Sequence, residues 1–235
     1  MSTFYEEMFI RFRIDTVLFQ SQYMDNLTYG VKVGGLHSTI TNLPEMIVGR
    51  DHNKTLFSID SKGAYGAEGG LFLNYKLPHS RVAIQPEFLY RKAGDRVVYH
   101  NQTTGQEYTL DFNYSYLVFG ASLKVYPYKG INFGVGGFYA KSLTPSALEY
   151  TSNENGGRYD TNYRQFYRDG IVGKDDFNLS FSVGYELSQA FHFEARYYLG
   201  VGDMISNRST SFQFLENTNR NSVMTLSLGY NFSNW

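Results

Sequence analysis

The chain has 235 residues, which suits one all-β domain or two small ones, and its formal net charge is −1. So small a charge gives no broad electrostatic attraction for nucleic acid, and we expect no nucleic-acid partner. Cysteine is absent, which excludes disulfides and thiolate metal sites. Tyr and Phe are abundant, at 21 and 19 residues. No apolar run reaches the about 18 residues that a membrane-spanning helix needs.

Apolar and polar residues alternate along eight segments, and this period of two predicts β-strands because successive side chains of a strand point to opposite faces. The first four predicted strands cover residues 27–36, 64–77, 81–92 and 107–126, and the last four cover residues 131–143, 176–187, 191–200 and 222–232. In the fourth strand the apolar parity changes between Tyr114 and Leu117. A β-bulge near Tyr116 would produce this change, so we expect one there.

The connections between these strands alternate strictly between short and long. The short ones are "PHS", "PYKG" and "SQA", and the long polar ones cover residues 37–63, 93–106, 144–175 and 203–221. Antiparallel neighbours with short turns at one end and long loops at the other describe an up-and-down barrel. Transmembrane barrels share this asymmetry, with short periplasmic turns and long extracellular loops.

The polar face of the strands distinguishes a lipid-facing barrel from a soluble one. A soluble surface is rich in Lys and mixed charges, whereas the polar positions here are mostly Ser, Gly, Asn and Thr. The run from Phe177 to Leu187 is about 35 Å long at about 3.3 Å per residue, and a tilt of about 45° reduces it to about 25 Å, the height of an outer-membrane apolar band. We predict an all-β fold, an eight-stranded antiparallel up-and-down transmembrane β-barrel in the bacterial outer membrane. Its surroundings would be outer-membrane lipid and lipopolysaccharide.

Several stretches resemble a known family: "YGVKVGGLHSTI", "GAEGGLFLNYKL", "VAIQPEFLYRKAG" and "LDFNYSYLVFGASLKVYPYKGINFGVGGFYAKSL". They look like the small outer-membrane β-barrel domain of Bacteroidota, the PorT-like or OmpX-OmpA-like eight-stranded barrels. The closing "LSLGYNF" is similar to the last strand of such barrels. The resemblance covers about residues 27–232. It implies the fold and the outer-membrane location and is nearly silent on activity.

Residues 1–26 precede the first predicted strand. They lack the basic region and apolar core of an export signal, so for an exported protein we expect that signal to lie outside this numbering. Ile10, Phe12 and Ile14 alternate with charged residues and would be buried only against another surface. We therefore divide the chain into an N-terminal periplasmic segment, 1–26, and the barrel, 27–235. A flexible leader is the alternative for the first part.

The inward positions of the predicted barrel include a set of charged residues: Lys32, Glu68, Glu87, Arg91, Glu194 and Arg196. An eight-stranded barrel is just wide enough for side chains to fill, and buried charges must be paired and hydrogen-bonded. We expect these residues to form a charge network that plugs the lumen; a proton or solute path is the alternative. The paired glycines in "VGGL", "EGGLF" and "VGGFY" indicate barrel curvature more readily than a phosphate cradle, since no G-x-G-x-x-G lies between a strand and a helix.

The longest connection, residues 144–175, is rich in Tyr, Asn, Arg and Asp. Tyr and Arg are typical of recognition surfaces because they combine large contact area with directed polar groups. The candidate recognition residues of this loop are Tyr159, Tyr163, Arg164, Tyr167 and Arg168. A solvated loop that extends the barrel as a hairpin is the alternative.

Histidines are candidate catalytic residues because some eight-stranded barrels modify lipids, which requires a Ser or carboxylate beside a His. His192, with Glu194 two residues on, is inward-facing near the short-turn end, whereas His37, His52 and His100 fall near the outer ends or in loops. The spacing selects no catalytic triad. We assign no catalytic, cofactor-binding or metal-binding residue and no cofactor.

These observations favour a non-enzymatic outer-membrane barrel that acts through its long loops or its N-terminal segment, as an interaction or accessory subunit of a larger outer-membrane protein complex. Two alternatives stay open: a stand-alone structural or adhesion barrel, and a lipid-modifying enzyme such as an acyl hydrolase or transferase acting on lipid A. A general diffusion porin is disfavoured because eight strands leave no aqueous channel.

Overall fold

The computed structural model describes residues 26–43, 57–153, 158–208 and 218–232. The predicted N-terminal periplasmic segment therefore lies outside the described residues, apart from Asn26. The strands are β1 (Leu27–Ile40), β2 (Phe57–Ser61), β3 (Ala64–Lys76), β4 (Val82–Asn101), β5 (Glu107–Tyr128), β6 (Ile131–Ser142), β7 (Leu148–Ser152), β8 (Ile171–Gly173), β9 (Asp176–Glu186), β10 (Phe191–Gly200), β11 (Ile205–Asn207) and β12 (Asn221–Asn231). The helix α1 (Arg158–Gly170) follows β7. Across these residues no helix is both long and apolar enough to cross a membrane.

Eight of the strands close into a ring. Going around it, the order is β1, β3, β4, β5, β6, β9, β10 and β12, and β12 pairs with β1 to complete the circle. All eight pairings are antiparallel. The predicted fold class and all eight predicted strands are confirmed.

The lower part of the barrel, towards the short turns, has an apolar exterior and a polar interior. On β9 the residues Phe177, Leu179, Phe181, Val183 and Tyr185 point outward and are exposed, while the residues between them are buried. The same alternation holds along β10 and β12. An apolar face turned away from a polar, side-chain-filled interior is the arrangement of a barrel in lipid.

The pattern inverts in the upper halves of β4 and β5. On β5, Leu110, Phe112, Tyr114 and Tyr116 point inward and are buried. Leu117, from the opposite parity, is the first residue of the apolar outer face. The pairing between β4 and β5 runs without a register shift through Tyr116, so the predicted β-bulge at that position is wrong. The only shift recorded in the described pairings of β5 lies lower, between Val125 and Tyr128.

The inversion has a simple cause, because apolar side chains face lipid inside the membrane and face the protein interior outside it. We call the part of the protein above this change the crown: the upper ends of β1, β4 and β5 together with β2, β7, α1, β8 and β11. β2 pairs with the upper part of β4, and β7 pairs with the upper part of β5. The predicted loop at residues 93–106 is therefore mostly strand, with a turn only at residues 102–106. The strict polar–apolar alternation that identified the other strands is lost there because β4 residues of both parities are buried.

The crown has its own apolar core. Buried residues come from the ends of ring strands, from β7 and β8, and from the segment around β11; they include Ile40, Leu43, Val97, Leu110, Leu148, Ile171, Met204 and Ile205. The core continues downward into the upper lumen through Tyr114, Tyr116, Phe138 and Tyr198. The described parts of the long connections thus pack together over the upper end of the barrel.

Candidate functional site: lumen and crown

The lower lumen contains five buried charged side chains in direct contact. Lys32 Nζ lies 2.6 Å from Glu87 Oε2 and 3.1 Å from Glu194 Oε1. Arg196 Nη2 lies 2.5 Å from Glu87 Oε1 and 2.6 Å from Glu194 Oε1. Lys124 Nζ lies 2.6 Å from Glu194 Oε2. Each carboxylate is thus shared by two or three cations, and all of these except Arg196 on Glu194 come from another strand, which crosslinks the ring through its interior.

A second ion pair lies higher in the lumen. Arg91 donates to Glu68 Oε2 through Nε at 3.0 Å and through Nη2 at 2.8 Å. Its guanidinium lies over the ring of Tyr198, 3.8 Å from the centroid. Tyr198 in turn accepts a hydrogen bond from Arg196 Nη1 at 3.0 Å. The tyrosine therefore links the two charged layers, and its bulk separates them.

The structure brings all six predicted lumen residues inside the ring and places each in an ion pair with another member of the set. It divides them into two layers, since Arg91 and Glu68 pair with each other above the rest. Sequence reasoning missed Lys124. Its position between Leu123 and Val125, both on the outer apolar face, could have identified it as inward-facing.

Tyrosines mark the upper edge of the apolar belt. Their hydroxyls bind polar groups just above the lipid-facing surface: Tyr90 donates to Ser115 Oγ at 3.1 Å, Tyr139 to Asp175 Oδ2 at 2.6 Å, and Tyr197 lies 2.6 Å from Ser222 Oγ. Amphipathic rings of this kind sit at the boundary between lipid and water.

Asp175, in the connection just above β9, ties the end of β6 to this boundary. It accepts hydrogen bonds from Lys141 Nζ at 2.8 Å, from the Tyr139 hydroxyl and from the Ser142 backbone N–H at 2.9 Å. The hydrogen bond from Lys141, followed by that from Tyr139, lowers the pKa of the Asp175 carboxyl to about 2.

Asp95 joins the crown to the barrel. Its carboxylate is buried and accepts hydrogen bonds from the backbone N–H of Ile40 at 2.7 Å, of Gly63 at 2.9 Å and of Arg96 at 2.7 Å, and from Ser61 Oγ at 2.9 Å. These donors belong to β1, β2, the β2–β3 connection and β4. Burial raises the pKa of the Asp95 carboxyl, and the donated hydrogen bonds oppose that rise.

The candidate recognition residues of the longest loop fall on α1 rather than in an irregular loop. Arg164 and Arg168 are exposed, and Arg164 Nε donates to the carbonyl of Tyr150 at 2.9 Å. Tyr167 is half-buried and stacks on Tyr150 with 5.5 Å between ring centroids, so its ring anchors the helix. The side chains of Tyr159 and Tyr163 lie outside the described residues. A cavity of about 620 Å³ between α1 and β7 is lined by Arg164, Arg168, Gln165, Asp169 and Leu148 to Thr151.

The described histidines among the catalytic candidates do not come together. His192 is buried in the lower lumen, edge-on to Phe72 at 5.0 Å, and His37 packs against Tyr65 near the top of β1 at 5.0 Å. His100 lies on the exposed side of β4 in the crown, and His52 is outside the described residues. In the described part of the chain no group of three or more His, Asp or Glu side chains is placed to hold a metal ion.

The chain forms a closed ring of eight antiparallel strands, with an apolar exterior and a polar lumen that contains ion pairs. Residues 20–206 match the family described as outer membrane protein beta-barrel domain. The chain belongs to this family. It is a β-barrel protein of the bacterial outer membrane.

Solved structures similar to this outer-membrane barrel include Ail, the attachment invasion locus protein of Yersinia pestis, with 11% sequence identity, a TM-score of 0.40 and coverage of 87% of this chain and 98% of that chain. Neisserial surface protein A matches with 11% identity, a TM-score of 0.38 and coverage of 87% of this chain and 97% of that chain. No curated protein matches the sequence. At these levels of similarity, the assignment depends on the family match and on the geometry described above.

Proposed function

We propose that this outer-membrane barrel is a non-enzymatic interaction protein that acts through its crown, as an accessory subunit of a larger outer-membrane assembly. The observation that carries the proposal is the crown itself. Ring strands β4 and β5 continue above the lipid boundary, acquire two extra strands and a helix, and enclose an apolar core. Loops as long as these are more often functional than idle.

The lumen supports the same interpretation. Ion pairs among buried side chains fill its lower part, and aromatic rings of the core fill its upper part. A barrel closed in this way is unsuited to diffusion of solutes. The surface that remains for function is the outside of the crown, where α1 exposes Arg164 and Arg168.

The sequence motifs favour a place for the barrel among the PorT-like barrels of Bacteroidota. This narrower assignment stays a proposal, as does any role of residues 1–26 in docking. A barrel that acts alone at the cell surface is the competing function, and it requires no partner in the membrane.

Co-purification tests the proposal. The full-length chain, tagged and produced at its native level, is extracted gently from outer membranes. We expect a larger membrane protein at stoichiometric amount, and its yield should fall when Arg168 is replaced by Glu. The matched control is Lys129→Glu, which makes the same charge change at an exposed residue of a short periplasmic turn. A barrel that purifies alone would refute the subunit proposal and leave the stand-alone surface barrel.

A further inference from the structure

The lipid-facing surface has a depression where β1 and β3 meet. Gly35 pairs with Ala67, Val33 pairs with Gly69, and all four residues lie on the outer face of the barrel. Three of the four side chains are a hydrogen atom or a methyl group, whereas the next outward residue along β3 is the large and exposed Leu71. The surface over Gly35, Ala67 and Gly69 is therefore lower than its surroundings by most of the length of a side chain.

The space over this depression is open. A Cβ added at Gly35 would have no heavy atom within 4 Å, and one added at Gly69 would come no closer than 3.4 Å to the neighbouring strand. A groove of about 1090 Å³ runs over these residues and continues across the outer face of β12 and β10, past Leu226 and Ala195. Glycine inside a strand often marks a place where a ligand or another backbone approaches closely.

Lys92 on β4 borders the upper end of this groove. It pairs with Ala67 and lies two residues above Tyr90, whose hydroxyl marks the upper edge of the apolar belt. The Lys92 side chain is exposed, and no residue that the structure describes forms an ion pair with it. Arg96, the next exposed cation on β4, differs because it is paired with Asp111. Lys92 thus places an uncompensated positive charge at the level of the lipid head groups.

An apolar groove that ends at an exposed ammonium fits an anionic lipid. The hydrocarbon chain would cover the glycines and the alanine, and the phosphate would meet Lys92, since lysine places its apolar stem along hydrocarbon and its charged end among polar groups. The crown marks the extracellular side, because the long loops of outer-membrane barrels are extracellular. Lys92 therefore faces the outer leaflet, where the abundant anionic lipid is lipopolysaccharide.

We propose that the depression over Gly35, Ala67 and Gly69 is a binding site for one acyl chain of lipid A, with a lipid A phosphate on Lys92. The site holds this lipid on β1, β3 and β4, while the lipids around the rest of the belt exchange freely. It does not involve α1, so it is independent of the interaction function proposed above.

Native mass spectrometry of the full-length barrel measures the binding. The protein is folded in a neutral detergent and titrated with bisphosphorylated lipid A, and the fraction that carries one lipid gives the Kd. Lipid A without its phosphates should bind about tenfold more weakly, the size of one hydrogen bond to a charged group. Phosphatidylethanolamine, which has no net charge, should bind at least as weakly. Barrel extracted gently from outer membranes should carry lipid A, identified by its mass.

Two substitutions locate the lipid. Lys92→Gln removes the charge and should raise the Kd for lipid A about tenfold, while Lys92→Arg keeps the charge and should bind nearly as wild type does. Gly35→Leu fills the depression and should also weaken binding several-fold. The open space at Gly35 lets this variant fold normally, which a gel assay of heat-resistant barrel confirms before the titration.

The matched controls lie elsewhere on the barrel. Lys129→Gln removes a charge from an exposed residue of a short periplasmic turn. Ala121→Leu adds a large side chain to the outer face of β5, where Ala121 pairs with Gly137 and its outward neighbours along the strand are Phe119 and Leu123 rather than a cation. Both controls should bind lipid A as tightly as wild type does.

Other results would overturn the site. If wild type binds lipid A no more tightly than phosphatidylethanolamine, Lys92 selects no anionic lipid. If the extracted barrel carries phosphatidylglycerol in place of lipid A, the assignment to lipid A is wrong. If Gly35→Leu binds as tightly as wild type, or if Ala121→Leu loses as much affinity, the lipid contacts the belt as a whole rather than this depression.

Discussion

Replacing Asp95 with Asn tests whether one buried carboxylate holds the crown onto the barrel. Four groups donate to this side chain: the N–H groups of Ile40, Gly63 and Arg96 and the Ser61 hydroxyl. An Asn side chain has the same shape, but one of its two terminal atoms is an NH₂ group that only donates. At least one of the four donor groups must therefore face the NH₂ donor of the asparagine.

The cost follows from these contacts. If the Asn oxygen keeps the partners of Asp95 Oδ1, the amide nitrogen faces the buried N–H of Ile40, and an unsatisfied buried N–H costs about 2 kcal/mol. The remaining hydrogen bonds lose their charge, which weakens them by about 2 kcal/mol in total, since bonds to charged groups are roughly twice as strong as neutral ones. The expected loss is about 4 kcal/mol, or about a thousandfold in the equilibrium for local opening of the crown.

Native-state hydrogen exchange measures that opening directly. In Asp95→Asn, the amide protons of Ile40 and Gly63 should exchange up to a thousandfold faster, while those of the belt, such as Phe181, keep their rate. The control is Asp111→Asn, which removes an ion pair with the exposed Arg96. Exposed pairs contribute about 0.2–1 kcal/mol, so this variant should leave Ile40 nearly unchanged. Equal exchange of Ile40 in wild type and Asp95→Asn would refute the role of Asp95, as would a uniform acceleration that includes the belt.

Three further outcomes are expected. Arg91→Leu leaves Glu68 buried without its partner and should destabilise the barrel by about 3–5 kcal/mol in urea unfolding, whereas the double variant with Glu68→Leu should recover most of this loss; a double variant as unstable as the single one would argue against the pair. Gly70→Ala should reduce the fraction of protein that runs on a gel as heat-resistant folded barrel, because the added Cβ would lie 2.1 Å from a carbonyl oxygen of the neighbouring strand. Gly35→Ala should fold normally, because nothing lies within 4 Å of its added Cβ. The pKa of Asp175 is lowered to about 2. Its contribution to stability is therefore complete above about pH 4 and is lost as the pH falls through about 2. In Asp175→Asn the free energy of unfolding should change less steeply with pH between 4 and 2.

Most of the barrel could be predicted from the sequence because a membrane imposes a regular pattern. In the belt, every second residue faces lipid and must be apolar, as on β9 and β10. The residues between them face a lumen too narrow for water-filled space, and the charges found there, such as Lys32 and Glu87, must be paired. The same alternation along β5 would have identified Lys124 as an inward-facing residue.

The crown could not be predicted because its pattern has a different origin. Above the lipid boundary the apolar residues of β5 point inward, whereas below it they point outward. The resulting change of parity at Tyr116 resembles the change that a bulge would produce. Within residues 93–101 of β4, side chains from both faces of the strand are buried, because β2 and the crown core cover them. Such a segment has no simple alternation, and its strand state depends on contacts with residues far away in sequence.

The sequence by itself determined the eight strands, their alternating connections, the lipid-facing surface and the inward position of the charges, since each of these follows from local periodicity and from the length of a membrane span. Only the tertiary structure decided which charges meet and that Asp95 ties three chain segments together. These features arise where strands distant in sequence become neighbours.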